Sequence, residues 1–329
     1  MSLLSNADIE KLRIERFIFH VVQHGAERPI LLDDTPIATF EPFFLDRVKE
    51  TLRGNRFVFV DGSTTCGLLR KIGADPRQFV EVSKALATDF HSRQDKRIKA
   101  GVLILMTLRV SKRTLYSLIK FDHEQVVSYD LVKTKAVLKE ISNSFTKSPD
   151  ALHKSALIEL TATGGNVVVV DRTVRADITE FFKGFLNVRR KYDGSEMTKR
   201  LGDIVLGTVK DHQNELPGEI TRRARDRLYD LVQHRETFDA DQFVSEYFGA
   251  HGTDDIRATF DRRLEKSGLE GERFRFDRNA VVKPSVRKYR TVEGVKLEYG
   301  EDAQDTVKIT SKAGGSTIIT IQTSKLIEQ

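Results

Sequence analysis

The chain has 329 residues, of which 39% are hydrophobic and 31% charged, with a formal charge of +6 and a sequence pI near 9.2. That length suits two domains rather than one small core, and the composition is that of a soluble globular protein. No apolar run approaches the roughly 18 residues that cross a bilayer. Met1–Asp8 lacks the basic and apolar regions of a secretory signal. The single Cys66 excludes an internal disulfide and a cysteine-rich metal site, so a reducing cytoplasm is the expected location.

The positive charge is clustered. His91–Lys120 carries eight Lys or Arg against Asp95 alone, and Arg257–Arg290 carries eleven against five Asp or Glu.

In chain order, Glu15–Gln23 reads as a strand, with Ile30–Leu32 as a short paired partner, and Phe40–Leu52 as a helix. Arg56–Asp61 reads as a strand running into Gly62–Gly67. Pro76–Arg93 reads as a helix through Phe79, Val82, Leu86 and Phe90. Gly101–Arg109 and Tyr116–Phe121 read as adjacent strands joined by the basic turn Ser111–Thr114. Ala156–Leu160 and Asn166–Asp171 flank Thr163-Gly164-Gly165 as a hairpin. The first domain is therefore expected to span 1–175, a mixed sheet with helices on it.

Residues 176–329 are expected to form a helical domain ending in a small antiparallel β meander, making the whole an α+β chain. It opens on Asp177–Lys191, where Ile178, Phe181, Phe182, Phe185 and Leu186 recur at helical spacing. Asp177 is expected to cap that helix, with Glu180 completing a capping box and Arg189, Arg190 and Lys191 at its negative end. A second helix starts near Met197. A third opens at Pro217, with Ile220, Ala224, Leu228, Leu231 and Val232 inward and Arg222, Arg223, Arg225 and Arg227 outward. Asp239–Ala250 and Thr253–Lys266 are further helices, and Arg273–Arg278 suits a strand. Val295–Tyr299, Thr306–Thr310 and Thr317–Gln322 make the meander.

Four stretches carry a family resemblance. They are the His-bearing first strand with Pro29-Ile-Leu-Leu-Asp-Asp34, and the Phe79-x-x-x-Ser83-x-x-x-Ala87 helix leading into the Gly101–Phe121 strand pair. The Phe181-Phe-x-x-Phe-Leu186 helix with its following amphipathic helix is the third. The last runs from Phe260 through Phe276-Asp277, Lys283-Pro-Ser-Val-Arg-Lys288 and Gly294–Tyr299. In order and spacing they resemble the bacterial nucleoid-associated proteins of the NdpA (YejK-like) family over nearly the whole chain. The resemblance implies a nucleoid location and a homodimer, and it brings no catalytic signature.

Catalytic motifs are thin. Gly62–Gly67 lacks the Lys and Ser/Thr that a P-loop places after its second Gly; Leu68 and Leu69 stand there instead. His20 and His24 lie on a strand, where a spacing of four gives no shared helical face, and no His-Glu-x-x-His occurs, so neither a metal nor a cofactor is expected. Cys66 beside a turn reads as a packing residue. Glu159 and Asp171 on one hairpin could serve a metal-dependent nuclease, but without a Glu-x-Lys on the next strand they read as solvated residues.

Binding chemistry is better supported, because Lys and Arg neutralise backbone phosphates and release counterions. The DNA-binding candidates are Arg189, Arg190, Lys191, Lys199, Arg200, Arg222, Arg223, Lys283, Arg287, Lys288 and Arg290. Arg93, Lys96, Arg97 and Lys99 form a second basic patch. The helical runs read equally as solvated faces paired with Asp193, Glu196, Asp226 and Asp230. The preferred reading is a cytoplasmic, nucleoid-associated protein that binds double-stranded DNA without strong sequence preference. Two alternatives are a DNA-binding subunit of an antiphage defence complex, as in Kiwa, which would engage a partner protein, and a divergent nuclease.

Overall fold

The computed structural model describes residues 3–22, 26–93, 100–122, 124–132, 135–145, 152–174, 176–312 and 315–323. The chain divides into two compact units, 1–193 with 270–274, and 194–269 with 275–329. The sequence placed its boundary near 175.

The first unit is built on a seven-stranded sheet ordered β1-β3-β4-β7-β8-β2-β9, from strands Arg13–Val22 (β1), Asn55–Phe59 (β2), Gly101–Val110 (β3), Arg113–Asp122 (β4), Leu152–Thr161 (β7), Gly164–Asp171 (β8) and Val188–Arg190 (β9). Glu124–Val132 (β5) and Lys135–Ser144 (β6) pair apart from it, an element the sequence reading did not contain. The class is α+β, but every pairing in the large sheet is antiparallel rather than mixed.

The central strands are apolar on both faces because both faces are covered. Leu103, Leu105, Leu118 and Ile158 pack with Leu69, Phe79, Leu86, Phe182 and Phe185, from helices Thr64–Ala74 (α3), Phe79–Ser92 (α4) and Glu180–Leu186 (α5). Ile104, Met106, Ile119 and Leu157 pack on the other side with Phe44 and Val48 of helix Glu41–Thr51 (α2). The short helix Asn6–Glu10 (α1) precedes β1.

The aromatic stretch is docked in the first core, but its ends differ from expectation. Helix α5 begins after Thr179, and Asp177 accepts from its neighbour Ile178 and lies 3.7 Å from Arg190 Nε instead of capping the helix. The holding carboxylate is Asp171, which accepts from both the amide and the hydroxyl of Thr179. At the far end Asn187 takes the left-handed conformation, φ 53°, and turns the chain into β9. Arg189–Lys191 therefore continue into a sheet strand, not the end of a helix.

Asp171 is buried and bonded to Lys154 Nζ at 2.6 Å, so it is not a solvated hairpin residue. Burial alone would raise its carboxyl; Lys154 and Thr179 hold it below the usual range. Glu159 pairs with Arg113 at 2.7 Å. In register Asp171 faces Lys154 while Glu159 faces Asn166, which puts the two acids on opposite faces and roughly 16 Å apart along the strands. They do not converge on a metal.

The second unit packs helices Gly194–Asp211 (α6), Gly218–Thr221 (α7), Ala224–His234 (α8), Ala240–Phe248 (α9) and Asp254–Lys266 (α10). The helix expected to run on from Pro217 is broken at Arg222–Arg223. Its core is aromatic: Phe243 stacks on Tyr247 and Phe260, with centroids 5.6 and 5.7 Å away, and the Tyr247 hydroxyl donates to Ala224 O. The C-terminal strands form two separate hairpins, Val286–Arg290 with Lys296–Gly300 and Val307–Ser311 with Thr317–Ile321, in place of one meander.

Candidate nucleic-acid interface

The first C-terminal hairpin gathers more of the candidate cations than any other described element. Val-Arg-Lys-Tyr-Arg alternates as a strand must, and the turn after it is fixed by hydrogen bonds. Thr291 N–H donates to Val295 O, Gly294 N–H to Thr291 O, and Gly294 adopts φ 97° where a side chain would be strained. All five residues of Val286–Arg290 are exposed.

Pairing sets Arg287 opposite Tyr299, Lys288 opposite Glu298, Tyr289 opposite Leu297 and Arg290 opposite Lys296. One face thus carries Lys288, Arg290, Lys296 and Glu298; the other carries Arg287, Tyr289, Leu297 and Tyr299. Lys288 is neutralised by Glu298 at 3.1 Å. Arg290 and Lys296 are exposed like charges set directly across the ladder, a placement that costs stability unless an anion lies nearby. Arg287 shares its face with Tyr289 and Tyr299, and Tyr289 beside it holds its guanidinium above the ordinary arginine value. Lys283, just upstream, is exposed.

The other candidates sit on separate elements. On β9, which pairs with β2, Arg189 is exposed, as is Lys191 just after it. Arg190 points into protein: its guanidinium meets Glu272 at 2.6 Å, donates to the carbonyls of Ala176 and Arg273, and lies 5.2 Å from the Phe57 ring centroid. On α6 Lys199 is exposed, whereas Arg200 bonds Glu196 and donates to Ser267 O at 2.7 Å. Arg222 and Arg223 are exposed at the break between α7 and α8, and Arg223 makes a loose 3.8 Å pair with Asp226. Arg93 pairs with Asp89 at 2.9 Å, and Lys96, Arg97 and Lys99 lie outside the described residues.

Lys296, Tyr289 and Tyr299 were not singled out from the sequence. The alternation Val286–Arg290 was the signal for them, because a strand there puts Tyr289 on one face with Arg287.

Gly62–Gly67 is a strand-to-helix turn in which Ser63 caps α3 by accepting from the Cys66 amide. Cys66 is buried. Among the described residues no group of three or more His, Cys, Asp or Glu could hold a metal, and no helix is long and apolar enough to cross a membrane.

The family model described as nucleoid-associated protein YejK matches residues 18–320 of this chain. Comparison with curated proteins finds no match.

Proposed function

The chain belongs to the nucleoid-associated protein YejK family, and from that premise we propose that it binds double-stranded DNA with little sequence preference, as a homodimer in the bacterial nucleoid. The observation that carries the reading is Arg290 facing Lys296 on an exposed strand pair. Two cations held side by side without an acid between them suit a phosphate backbone, and phosphate contact carries no sequence information. Lys283 and Lys199 are further exposed cations of the second unit, and Arg189 and Lys191 are exposed cations of the first. Arg190 and Arg200 serve the fold, since protein groups already occupy their guanidinium donors.

The dimer reading draws support from aliphatic side chains left exposed on the second hairpin, Ile309, Ile318 and Ile321. The family is described as a nucleoid-associated protein rather than as an enzyme.

The test is binding of the full chain to unrelated duplexes of one length at several salt concentrations with magnesium present. Affinity independent of sequence, falling steeply with salt, with the DNA recovered intact, is the expected result. Cleaved DNA would make the protein a nuclease. Failure to bind at low salt would leave the cations to a protein partner, as in a defence complex.

A further inference from the structure

Resting on the DNA-binding reading, we infer that the Arg287–Tyr289–Tyr299 face of the 286–300 hairpin is a stacking platform for unpaired bases, so that single-stranded or melted DNA is the form this site takes. The two tyrosine rings are parallel within 15°, with centroids 6.1 Å apart. Arg287 stands opposite Tyr299 in the ladder and on the same face as both rings, which sets a third flat, cationic surface beside them. Tyr289 is 39% exposed on a strand with no buried residue, whereas Tyr116 and Tyr247 are buried and Tyr192 and Tyr229 are half-buried. Aromatic surface held in order and left open to water fits a partner with flat faces of its own.

In an intact duplex both faces of each base are covered by its neighbours, and only the edges are presented in the grooves. An unpaired base offers a face. Stacking it on an aromatic ring is tolerant of sequence, and an adjacent guanidinium adds to it.

Charge selects among partners for this hairpin. From Lys283 to Tyr299 there are five cations, Lys283, Arg287, Lys288, Arg290 and Lys296, against two acids, Glu293 and Glu298. Glu298 is bonded to Lys288, and Glu293 is bonded back to Thr291. A second copy of the chain brings the same positive ribbon and is repelled by it. A nucleic acid strand brings bases for the rings and a phosphate for Arg287 on the same face, while Arg290 and Lys296 lie on the opposite face of the hairpin.

The experiment is fluorescence anisotropy of the full-length protein with labelled oligo-dT and with blunt duplex of the same length. Tyr289→Ala with Tyr299→Ala should weaken oligo-dT binding by about ten-fold or more and leave duplex binding unchanged. Tyr289→Phe with Tyr299→Phe keeps the rings and should retain oligo-dT binding, which separates loss of stacking from loss of the hairpin. Unaltered oligo-dT binding in the alanine variant overturns the platform while leaving the DNA reading standing. Equal loss on both forms of DNA overturns it as well. A wild-type chain that binds neither form sinks the DNA reading itself.

Discussion

Arg190 Nη1 lies 2.6 Å from Glu272 Oε2, an ion pair between residues 82 apart in sequence. Glu272 is almost fully buried, and its other oxygen accepts from the Arg56 amide at 2.8 Å. Burial pushes the carboxyl up, and Arg190 and Arg56 pull against it. The pair pins the 270–274 segment to β2 and β9, which is why that short stretch belongs to the first unit. Removing one partner of a buried pair leaves the other charge uncompensated, at a cost of about 3–5 kcal/mol. Glu272→Ala should therefore lower the urea midpoint of the full chain strongly. Below its melting range the same variant should bind DNA as the wild type does, because Arg190 does not face the ligand.

The imidazole of His20 gives a pH dependence of defined sign. Its Nδ1 accepts from the Leu32 amide at 3.0 Å, so Nε2 carries the proton toward Ser83 Oγ at 3.1 Å, and that hydroxyl donates to Val80 O. Burial first, and Lys84 next, pull the imidazole from 6.5 down to about 4. Between those values the unfolded chain takes up a proton that the folded chain refuses. Stability is then lost as pH falls from 6.5 toward 4, with a slope of up to about 1.4 kcal/mol per pH unit. Urea midpoints for wild type and His20→Gln, measured across that window, should show the variant with the shallower dependence.

Asp171 and Glu159 should behave unlike a pair of metal ligands. Asp171 holds Lys154, the Thr173 amide and both donors of Thr179, all at one end of the hairpin. Asp171→Ala frees the start of α5 and removes a carboxylate partner from the buried Lys154, so a loss of several kcal/mol is expected. Glu159→Ala breaks a partly exposed pair with Arg113, worth about 1 kcal/mol or less. Thermal melts should separate the two variants widely, and neither substitution should change the recovery of intact plasmid with magnesium.

Much of this fold was legible because period and burial agree. The i, i+4, i+7 spacing of Ile178, Phe182 and Phe185 announces a docked helix, and all three are in the core. The same periodicity hides where that helix stops. Val188 lies three residues after Phe185 and satisfies the helical pattern, yet Asn187 adopts a left-handed conformation and Val188 opens a strand. The role of Arg190 was hidden for a different reason: its partner lies 82 residues away, and no local pattern marks that. Lys120 and Lys154, which the sequence did not single out as core residues, are opposite one another and fully buried, Lys120 paired with Asp122 and Lys154 with Asp171. Single-sequence alternation cannot separate such pairs from surface charge. At the DNA candidate, the cationic composition was visible, while the pairing of Arg290 with Lys296 required knowing that Val286–Arg290 is a strand.

That pairing makes the salt dependence of binding a direct test of the proposed surface. Lys283, Arg290 and Lys296 are exposed, and on the hairpin the last two face each other without an intervening acid. Each phosphate contact removed should reduce the slope of log K against log salt by about 0.9 for duplex DNA. Lys283→Ala, Arg290→Ala and Lys296→Ala combined should flatten the slope by between two and three units if all three touch phosphate, on the order of one per side chain. Lys288→Ala should contribute less, because Glu298 already neutralises that ammonium. Binding should weaken alike on unrelated sequences, since a phosphate contact does not read bases. Replacing Arg290 and Lys296 should also stabilise the free hairpin by relieving like-charge repulsion, by a few tenths of a kcal/mol. A variant that loses affinity while gaining stability separates a ligand-facing role from a structural one. A triple variant with unchanged slope would move the DNA-binding surface away from this hairpin, and the same measurement can be repeated on Arg189 and Lys191 of the first unit and, separately, on Lys199 of the second.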